Sequence, residues 1–236
     1  MGPPGWDDPG PNTKRGLLTG TTTWYNIRGN LYTQTQTQYN EFGSPRKLWD
    51  AKGNLSQIEY TDNFSGMSNT HTYAFATKTI SPVPGGNGST TALQTYTQYK
   101  YFTGQPASST DVNSKTTTFE YNDPLLRPTK VTAPNGQQTI TEYGAGTSES
   151  SRWVKVSLQV DTSTWKEGYT WYDGLGRNVR TQAIDNAGDV FVDSQFDSVG
   201  RPWKTSNPYR NGDTVYWTTK DYDSVNRPWK VTVPGG

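Results

Sequence analysis

Between Tyr172 and Pro234 the chain states one pattern three times. Tyr172-Asp173-Gly174-Leu175-Gly176-Arg177 is followed by Phe196-Asp197-Ser198-Val199-Gly200-Arg201-Pro202 and then by Tyr222-Asp223-Ser224-Val225-Asn226-Arg227-Pro228, the leading aromatics standing 24 and 26 residues apart. A period of this length marks a repeat architecture, in which each unit buries little alone and relies on its neighbours. The fourth residue after each aromatic is Gly or Asn, the two types that most readily tolerate positive φ. Tight turns are therefore expected at Ser198-Val199-Gly200 and Ser224-Val225-Asn226. Pro202-Trp203-Lys204-Thr205 and Pro228-Trp229-Lys230-Val231-Thr232-Val233 then alternate at period two, as half-buried strands do. A second kind of turn falls between the aromatic ones, at Asp185-Asn186-Ala187-Gly188-Asp189 and Asn211-Gly212-Asp213, and Asn-Gly between extended runs is a strong hairpin signal. Each unit reads as strand, turn, strand, turn.

Tyr-Asp-x-x-Gly-Arg at this spacing resembles the YD repeat of the Rhs (rearrangement hotspot) family. Upstream matches carry the resemblance further. Tyr39-Asn40-Glu41-Phe42-Gly43 and Asp50-Ala51-Lys52-Gly53-Asn54 fit well. Tyr121-Asn122-Asp123-Pro124-Leu125-Leu126-Arg127-Pro128 has one residue too many before its Arg and no Gly, and Tyr25 to Asn30 is a weaker match. The resemblance covers most of Tyr25 to Pro234. The repeat-motif positions are Tyr39, Gly43, Tyr121, Arg127, Tyr172, Asp173, Gly176, Arg177, Phe196, Asp197, Gly200, Arg201, Tyr222, Asp223, Asn226 and Arg227, and their expected role is structural.

The composition agrees with a thin β-structure. Hydrophobic residues make up 30% of the 236, yet aromatics are 13%, with 9 Trp and 15 Tyr, and disordered chains are poor in aromatics. Packing must come from Tyr, Trp, Phe and Val. The expected fold is all-β: antiparallel hairpins joined edge to edge into one continuous curled sheet, an arc of a shell, a tube or a fibre. Residues 1–20, rich in Pro and Gly, read as a leader or as an arm that packs through Trp6. Residues 21–143 read as degenerate repeats with an irregular insert near 61–90, and residues 144–236 as regular repeats. Within the first part, Thr33 to Tyr39 alternates Thr and Gln, Ser44 to Tyr60 is a hairpin, Ser81 to Ser89 is a long loop, and Gln105 to Lys115 reads as a polar connection. Arg127 to Tyr143 reads as a hairpin turning at Pro134-Asn135-Gly136.

Signals for chemistry are sparse. The one histidine, His71, stands between two Thr with no Cys in the chain and no carboxylate cluster, a poor start for a metal site or a triad. Asp221 and Asp223 share a strand face, but Asp223 is accounted for by its turn. No phosphate-cradling loop or nucleophile elbow is present. We expect no enzyme activity and no cofactor. The net charge of +1 gives no reason to expect nucleic acid as a partner, and no apolar run is long enough for a membrane helix.

The family resemblance implies a secreted or cell-surface bacterial protein whose sheets form hollow shells around a toxin or other cargo. The closing segment and toxin domain found in such proteins are absent from this sequence. The chain reaches Val233-Pro234-Gly235-Gly236 after the first strand of a hairpin, the expectation being a piece of something longer or a subunit whose last strand pairs elsewhere. Its partners would be other copies of itself or further repeats at its sheet edges. The alternative is a carbohydrate-binding module, with Trp49, Trp203, Trp217 and Trp229 stacking on sugar rings. Recurrence of Trp at one phase of the repeat is more economically explained by packing of repeat upon repeat, and Lys204 and Lys230 beside them suit cation–π contacts.

Overall fold

The computed structural model describes residues 17–26, 31–68, 71–85, 91–145 and 152–235. The remainder, including Trp6, most of the N-terminal arm, the last four residues of the Tyr25–Asn30 match and the end of the 81–89 loop, lies outside the described residues. The chain divides into two units, Met1–Thr118 and Phe119–Gly236.

The first unit is a run of hairpins. Its strands are β1 (Gly20–Asn26), β2 (Leu31–Tyr39), β3 (Pro45–Trp49), β4 (Leu55–Glu59), β5 (Phe64–Ser65), β6 (Lys78–Ile80), β7 (Gln94–Lys100) and β8 (Pro106–Thr110), and β9 (Thr116–Glu120) crosses the division. Each pairs antiparallel with its neighbour, except that β4 pairs with β6 and the short β5 runs parallel to β7. The run of simple hairpins is interrupted here. Here the unit has its only buried hydrophobic side chains among the described residues, Tyr60, Phe64 and Tyr73. Phe75 stacks on Tyr99 with ring centres 4.7 Å apart, and Phe64 meets Tyr101 edge-on at 5.1 Å.

Asp62 holds that insert. Its buried carboxylate accepts hydrogen bonds from the Thr72 N–H (2.6 Å), the Thr72 hydroxyl (2.7 Å) and the Tyr73 N–H (2.9 Å). His71 and Tyr73 have φ of 60° and 50°. Such values are uncommon for side chains of this size and persist only where neighbours fix them. His71 is exposed, its ring 6.2 Å from that of Tyr73, and no group of three His, Cys, Asp or Glu able to hold a metal ion occurs among the described residues.

One expectation is corrected in this unit. Gln105 to Lys115 is not a plain connection: Pro106–Thr110 is a strand, and Asp111 to Lys115 is a repeat turn. Ala107-Ser108-Ser109-Thr110 has no apolar alternation to announce it. Its ladder bonds to β7 and β9 decide the conformation, since strand formation depends on context more than on intrinsic preference.

The second unit is more regular. Its strands are β10 (Lys130–Thr132), β11 (Gln138–Ala145), β12 (Arg152–Gln159), β13 (Trp165–Tyr172), β14 (Asn178–Ala183), β15 (Val190–Phe196), β16 (Pro202–Ser206), β17 (Trp217–Tyr222) and β18 (Pro228–Thr232). From β10 to β18 each strand pairs antiparallel with the next. Among the described residues of this unit no hydrophobic side chain is buried. Its order therefore comes from backbone ladders and cross-strand side-chain pairs, which are the stabilising unit of a sheet. One such pair is extreme: the Trp153 ring lies against Gly144 on the neighbouring strand, and a Cβ added to Gly144 would fall 2.1 Å from a ring carbon. Trp153 also meets Tyr169 edge-on at 5.4 Å, and Tyr169 stacks on Trp171 at 5.3 Å. No helix occurs among the described residues. The fold is all-β and built from antiparallel hairpins, as the sequence predicts.

Candidate functional site

The element that recurs through both units is a five-residue turn. In Asp173-Gly174-Leu175-Gly176-Arg177 the Asp173 N–H donates to the Arg177 carbonyl (3.0 Å) and the Gly176 N–H to the Asp173 carbonyl (2.9 Å). One Asp173 carboxylate oxygen accepts from the Leu175 and Arg177 N–H groups, both at 2.9 Å, and the other from Arg177 Nε at 2.7 Å. The short carboxylate satisfies the amides that a tight turn leaves unpaired. Asp197 with Arg201 and Asp223 with Arg227 repeat these bonds at 2.6 to 3.1 Å. Asp50 with Asn54, Asn40 with Ser44 and Asp111 with Lys115 build the same turn without Arg.

The fourth position needs positive φ. Gly200 has φ of 88° and Asn226 of 66°. In the 121–128 match the slot is filled by Leu126 at 57°, with Asp123 as the carboxylate: it accepts from the Leu125 N–H (2.9 Å) and binds Arg127 through two guanidinium nitrogens (2.8 and 2.7 Å). The surplus residue of that match is therefore Asn122, lying between the aromatic and the acid, and the distance from acid to Arg is the regular one.

A register shift falls at the aromatic in each regular hairpin. Tyr39 faces Pro45, Tyr99 faces Pro106, Tyr172 faces Asn178, Phe196 faces Pro202 and Tyr222 faces Pro228, each next to a bulge. Bulges strengthen twist and re-aim the side chains beside them. Several aromatics at this position, and Tyr143, which stands in an unbulged ladder, reach the preceding hairpin. The guanidinium carbon of Arg127 lies 3.8 Å from the Tyr143 ring centre, that of Arg177 4.3 Å from Phe196, and that of Arg201 4.4 Å from Tyr222. Three tyrosines donate their hydroxyl to a carbonyl of the earlier hairpin: Tyr143 to Pro128 (2.9 Å), Tyr222 to Pro202 (2.7 Å) and, in the first unit, Tyr60 to Pro45 (2.9 Å). Tyr99 and Tyr39 make the same kind of bond to Ala76 and Leu18. Acid, Arg and the next aromatic form a clamp between consecutive hairpins. Arg201 adds a bond from Nη1 to the Asn226 amide oxygen at 2.7 Å.

The electrostatics follow from these contacts. The Arg127 guanidinium holds the Asp123 carboxyl at about 2. The Arg177 N–H and guanidinium keep Asp173 below the usual carboxylate range, and Arg227 does the same for Asp223. Desolvation pushes Asp197 up, but its bonds to Arg201 outweigh this and leave it low. Beside the clamp, Arg180 binds Asp193 through two nitrogens (2.6 and 2.9 Å) and lowers its carboxyl, while the Tyr209 hydroxyl donates to Asp193 at 2.6 Å and is itself pushed up. A groove of about 700 Å³ includes Trp171, Asp173, Arg177, Arg180, Asp193 and Phe196 in its walls. Both carboxylates in this group are paired with Arg.

Sequence reasoning marked the turns but not three of the rings. Tyr60, Tyr99 and Tyr143 lack the acid that normally follows the aromatic. The signal for two of them is a Pro 15 residues upstream, at Pro45 and Pro128. The four tryptophans differ in setting. Trp203 and Trp229 are 42% and 66% exposed, whereas Trp49 and Trp217 are half-buried. Lys204 Nζ lies between Trp203 and Trp217, 4.6 and 4.4 Å from their ring centres.

Comparison with known proteins agrees with the fold. The RHS Repeat family model matches residues 103–138, so the chain carries the repeat that its sequence resembles. Solved structures share the fold over most of its length. The crystal structure of TcdB2-TccC3-TEV superposes with a TM-score of 0.63 at 13% identity, covering 92% of this chain and 16% of that one. For the crystal structure of TcdB2-TccC3 the values are 0.58, 15%, 91% and 14%. For the Photorhabdus luminescens Tc holotoxin pore with the TccC3-D651A mutation they are 0.59, 15%, 84% and 10%. The chain thus spans less than a fifth of the length of these relatives in fold. No curated protein sequence matches it.

Proposed function

We propose that this chain is a non-enzymatic structural segment of a secreted or cell-surface bacterial protein of the Rhs/YD-repeat type, its hairpins forming wall rather than machinery. The observation that carries this reading is the clamp. The repeated charged and aromatic residues bind one another and the backbone, and the recurring motif is spent on holding each hairpin to the next. The likeness in fold to the Tc toxin structures supports a wall that encloses cargo, and an arc of such a wall is the role a run of hairpins suits. β18 pairs with β17 along one edge, its other edge has no partner strand among the described residues, and sheet edges add strands. A head-to-tail join between copies that does not close makes a tube or fibre. The test is deletion of Trp229 to Gly236. Particle size by light scattering falls to that of a single chain if assembly runs through this edge, and an unchanged size counts against it.

A second reading is favoured by the exposure of Trp203 and Trp229. Two tryptophans at the same repeat phase, open to solvent, suit stacking on polysaccharide. Glycan binding that is lost in Trp203→Ala with thermal stability retained supports recognition. Stability lost together with binding points to packing.

A further inference from the structure

Two turns of the second unit carry the same dipeptide, Asn135-Gly136 and Asn211-Gly212; a third copy, Asn87-Gly88, lies outside the described residues. Asn before Gly is chemically exposed, because glycine has no Cβ to hinder its own nitrogen from reaching the side-chain amide carbon of the residue before it. Both copies stand open to solvent, but they are held differently.

Asn135 is tied at three points. Its carboxamide oxygen accepts from the Gln137 N–H at 3.1 Å, its amide nitrogen donates to Gln137 Oε1 at 2.7 Å, and the Gly136 N–H donates to the Ala133 carbonyl at 2.9 Å. The turn around Asn211 is closed by the residues on either side of the dipeptide. The Asp213 N–H donates to the Arg210 carbonyl at 3.0 Å and the Arg210 N–H to the Asp213 carboxylate at 2.8 Å. These bonds bypass the dipeptide between them. Among the described residues neither the Asn211 carboxamide nor the Gly212 N–H has a hydrogen-bond partner. Other Asn residues followed by a small residue have that nitrogen engaged: the Ser114 N–H after Asn113 donates to the Asp111 carbonyl at 3.0 Å, and the Ala187 N–H after Asn186 to the Asp185 carboxylate at 2.8 Å.

We propose that Asn211 is a site of spontaneous deamidation, and that the Asn135 turn suppresses the same reaction in the same dipeptide. The Gly212 nitrogen gives up its proton to water and bonds to Asn211 Cγ. The bond from Cγ to the carboxamide nitrogen breaks, and that nitrogen takes a proton from solvent and leaves as ammonia. A succinimide ring remains. Water adds at one of its two carbonyls and opens it to aspartate or, with the main chain rerouted through the side chain, to isoaspartate. Either product is a covalent modification that adds a negative charge to the turn. It falls next to Arg210, whose guanidinium donates to the Gly188 carbonyl and lies 3.7 Å from Asp185, so the altered turn is one that meets its neighbour.

The reaction needs a side chain free to swing and a nitrogen free to lose its proton, and each hydrogen bond broken beforehand costs about ten-fold in rate. The test incubates the full chain in mildly alkaline buffer, folded and in urea, and follows tryptic peptides Asn211–Lys220 and Val131–Arg152 by mass, with enzymatic methylation of isoaspartate as a second readout. In the folded chain, conversion in the first peptide should outpace that in the second by about ten-fold or more. In urea the two should converge, because sequence alone then sets the rate. Asn211→Gln should abolish conversion in the first peptide and leave the second unchanged. An Asn211 that stays intact, an Asn135 that keeps pace with it in the folded chain, or a gap between them that persists in urea each overturns the proposal.

Discussion

The guanidinium of Arg201 lies 4.4 Å from the centre of the Tyr222 ring while Nε binds Asp197 at 2.6 Å. One side chain thus closes its own turn and fixes the ring of the next. The clamp separates into parts that mutation can weigh. Tyr222→Phe removes the bond to the Pro202 carbonyl and costs about 1 kcal/mol. Tyr222→Leu also removes the π face and costs about 1 kcal/mol more. Urea unfolding of the pair measures both. A Leu variant as stable as the Phe variant shows that the ring adds nothing.

Asn226 does two things, and two substitutions divide them. Asn226→Gly keeps the positive φ but loses the bond from Arg201, a change of a few tenths of a kcal/mol. Asn226→Ala loses that bond and adds about 1–2 kcal/mol of left-handed strain. Thermal unfolding should place Ala clearly below Gly, and the reverse order would refute the turn assignment.

Gly144 and Trp153 should be coupled. Gly144→Ala drives a methyl into the indole ring and costs about 1–3 kcal/mol. In a Trp153→Ala background the same change should be close to neutral. A double-mutant cycle reads the difference directly, and additive costs would mean the ring does not lie where the structure has it.

Asp62 anchors the insert by accepting from Thr72 and Tyr73. Asp62→Ala leaves the buried Tyr73 N–H without this acceptor and should cost about 1–3 kcal/mol. Hydrogen exchange at Thr72 and Tyr73 should quicken first, while the β13–β17 amides stay protected. Uniform loss of protection would show that the insert is not a local device.

Acid should loosen the turns. Asp123, Asp173, Asp197 and Asp223 are all held below the ordinary carboxylate value in the folded chain, Asp123 at about 2. A depressed folded pKa contributes stability that is present above the unfolded value, about 3.9, and is lost as pH falls through the folded one. Stability should therefore be flat near neutrality and fall between about pH 4 and pH 2. Asp123→Asn should shrink that fall, and an identical acid limb in this variant would remove Asp123 from the explanation.

The hairpins were legible because their turns are written locally. Gly200, Asn226 and Gly53 announce positive φ, and the acids before them announce amides to be satisfied. The strand at Pro106–Thr110 was not legible, because Ser and Thr flanked by Ala carry no face to detect and the neighbouring ladders choose for them. Leu126 hid its turn by putting an unfavourable residue where Gly is expected, its cost offset by the Asp123–Arg127 pair. The contact of Arg177 with Phe196 is not legible for another reason: it links residues 19 apart on different hairpins, and no local propensity records that meeting. Asp62 and its three donors lie ten and eleven residues apart in an irregular stretch, where no period exists to read.

Each Arg-to-ring contact reaches forward by one hairpin and no further. The instructions for placing a strand are therefore carried by the strand before it, and nothing needs to know its distance from either terminus. A segment cut between two equivalent prolines, such as Pro202 and Pro228, carries one ring, Tyr222, for the acid–Arg pair before it and one acid–Arg pair, Asp223 with Arg227, of its own. Such a segment can be copied or excised in tandem without redrawing the joints on either side, so the reach of the sheet is something that recombination can change in whole steps.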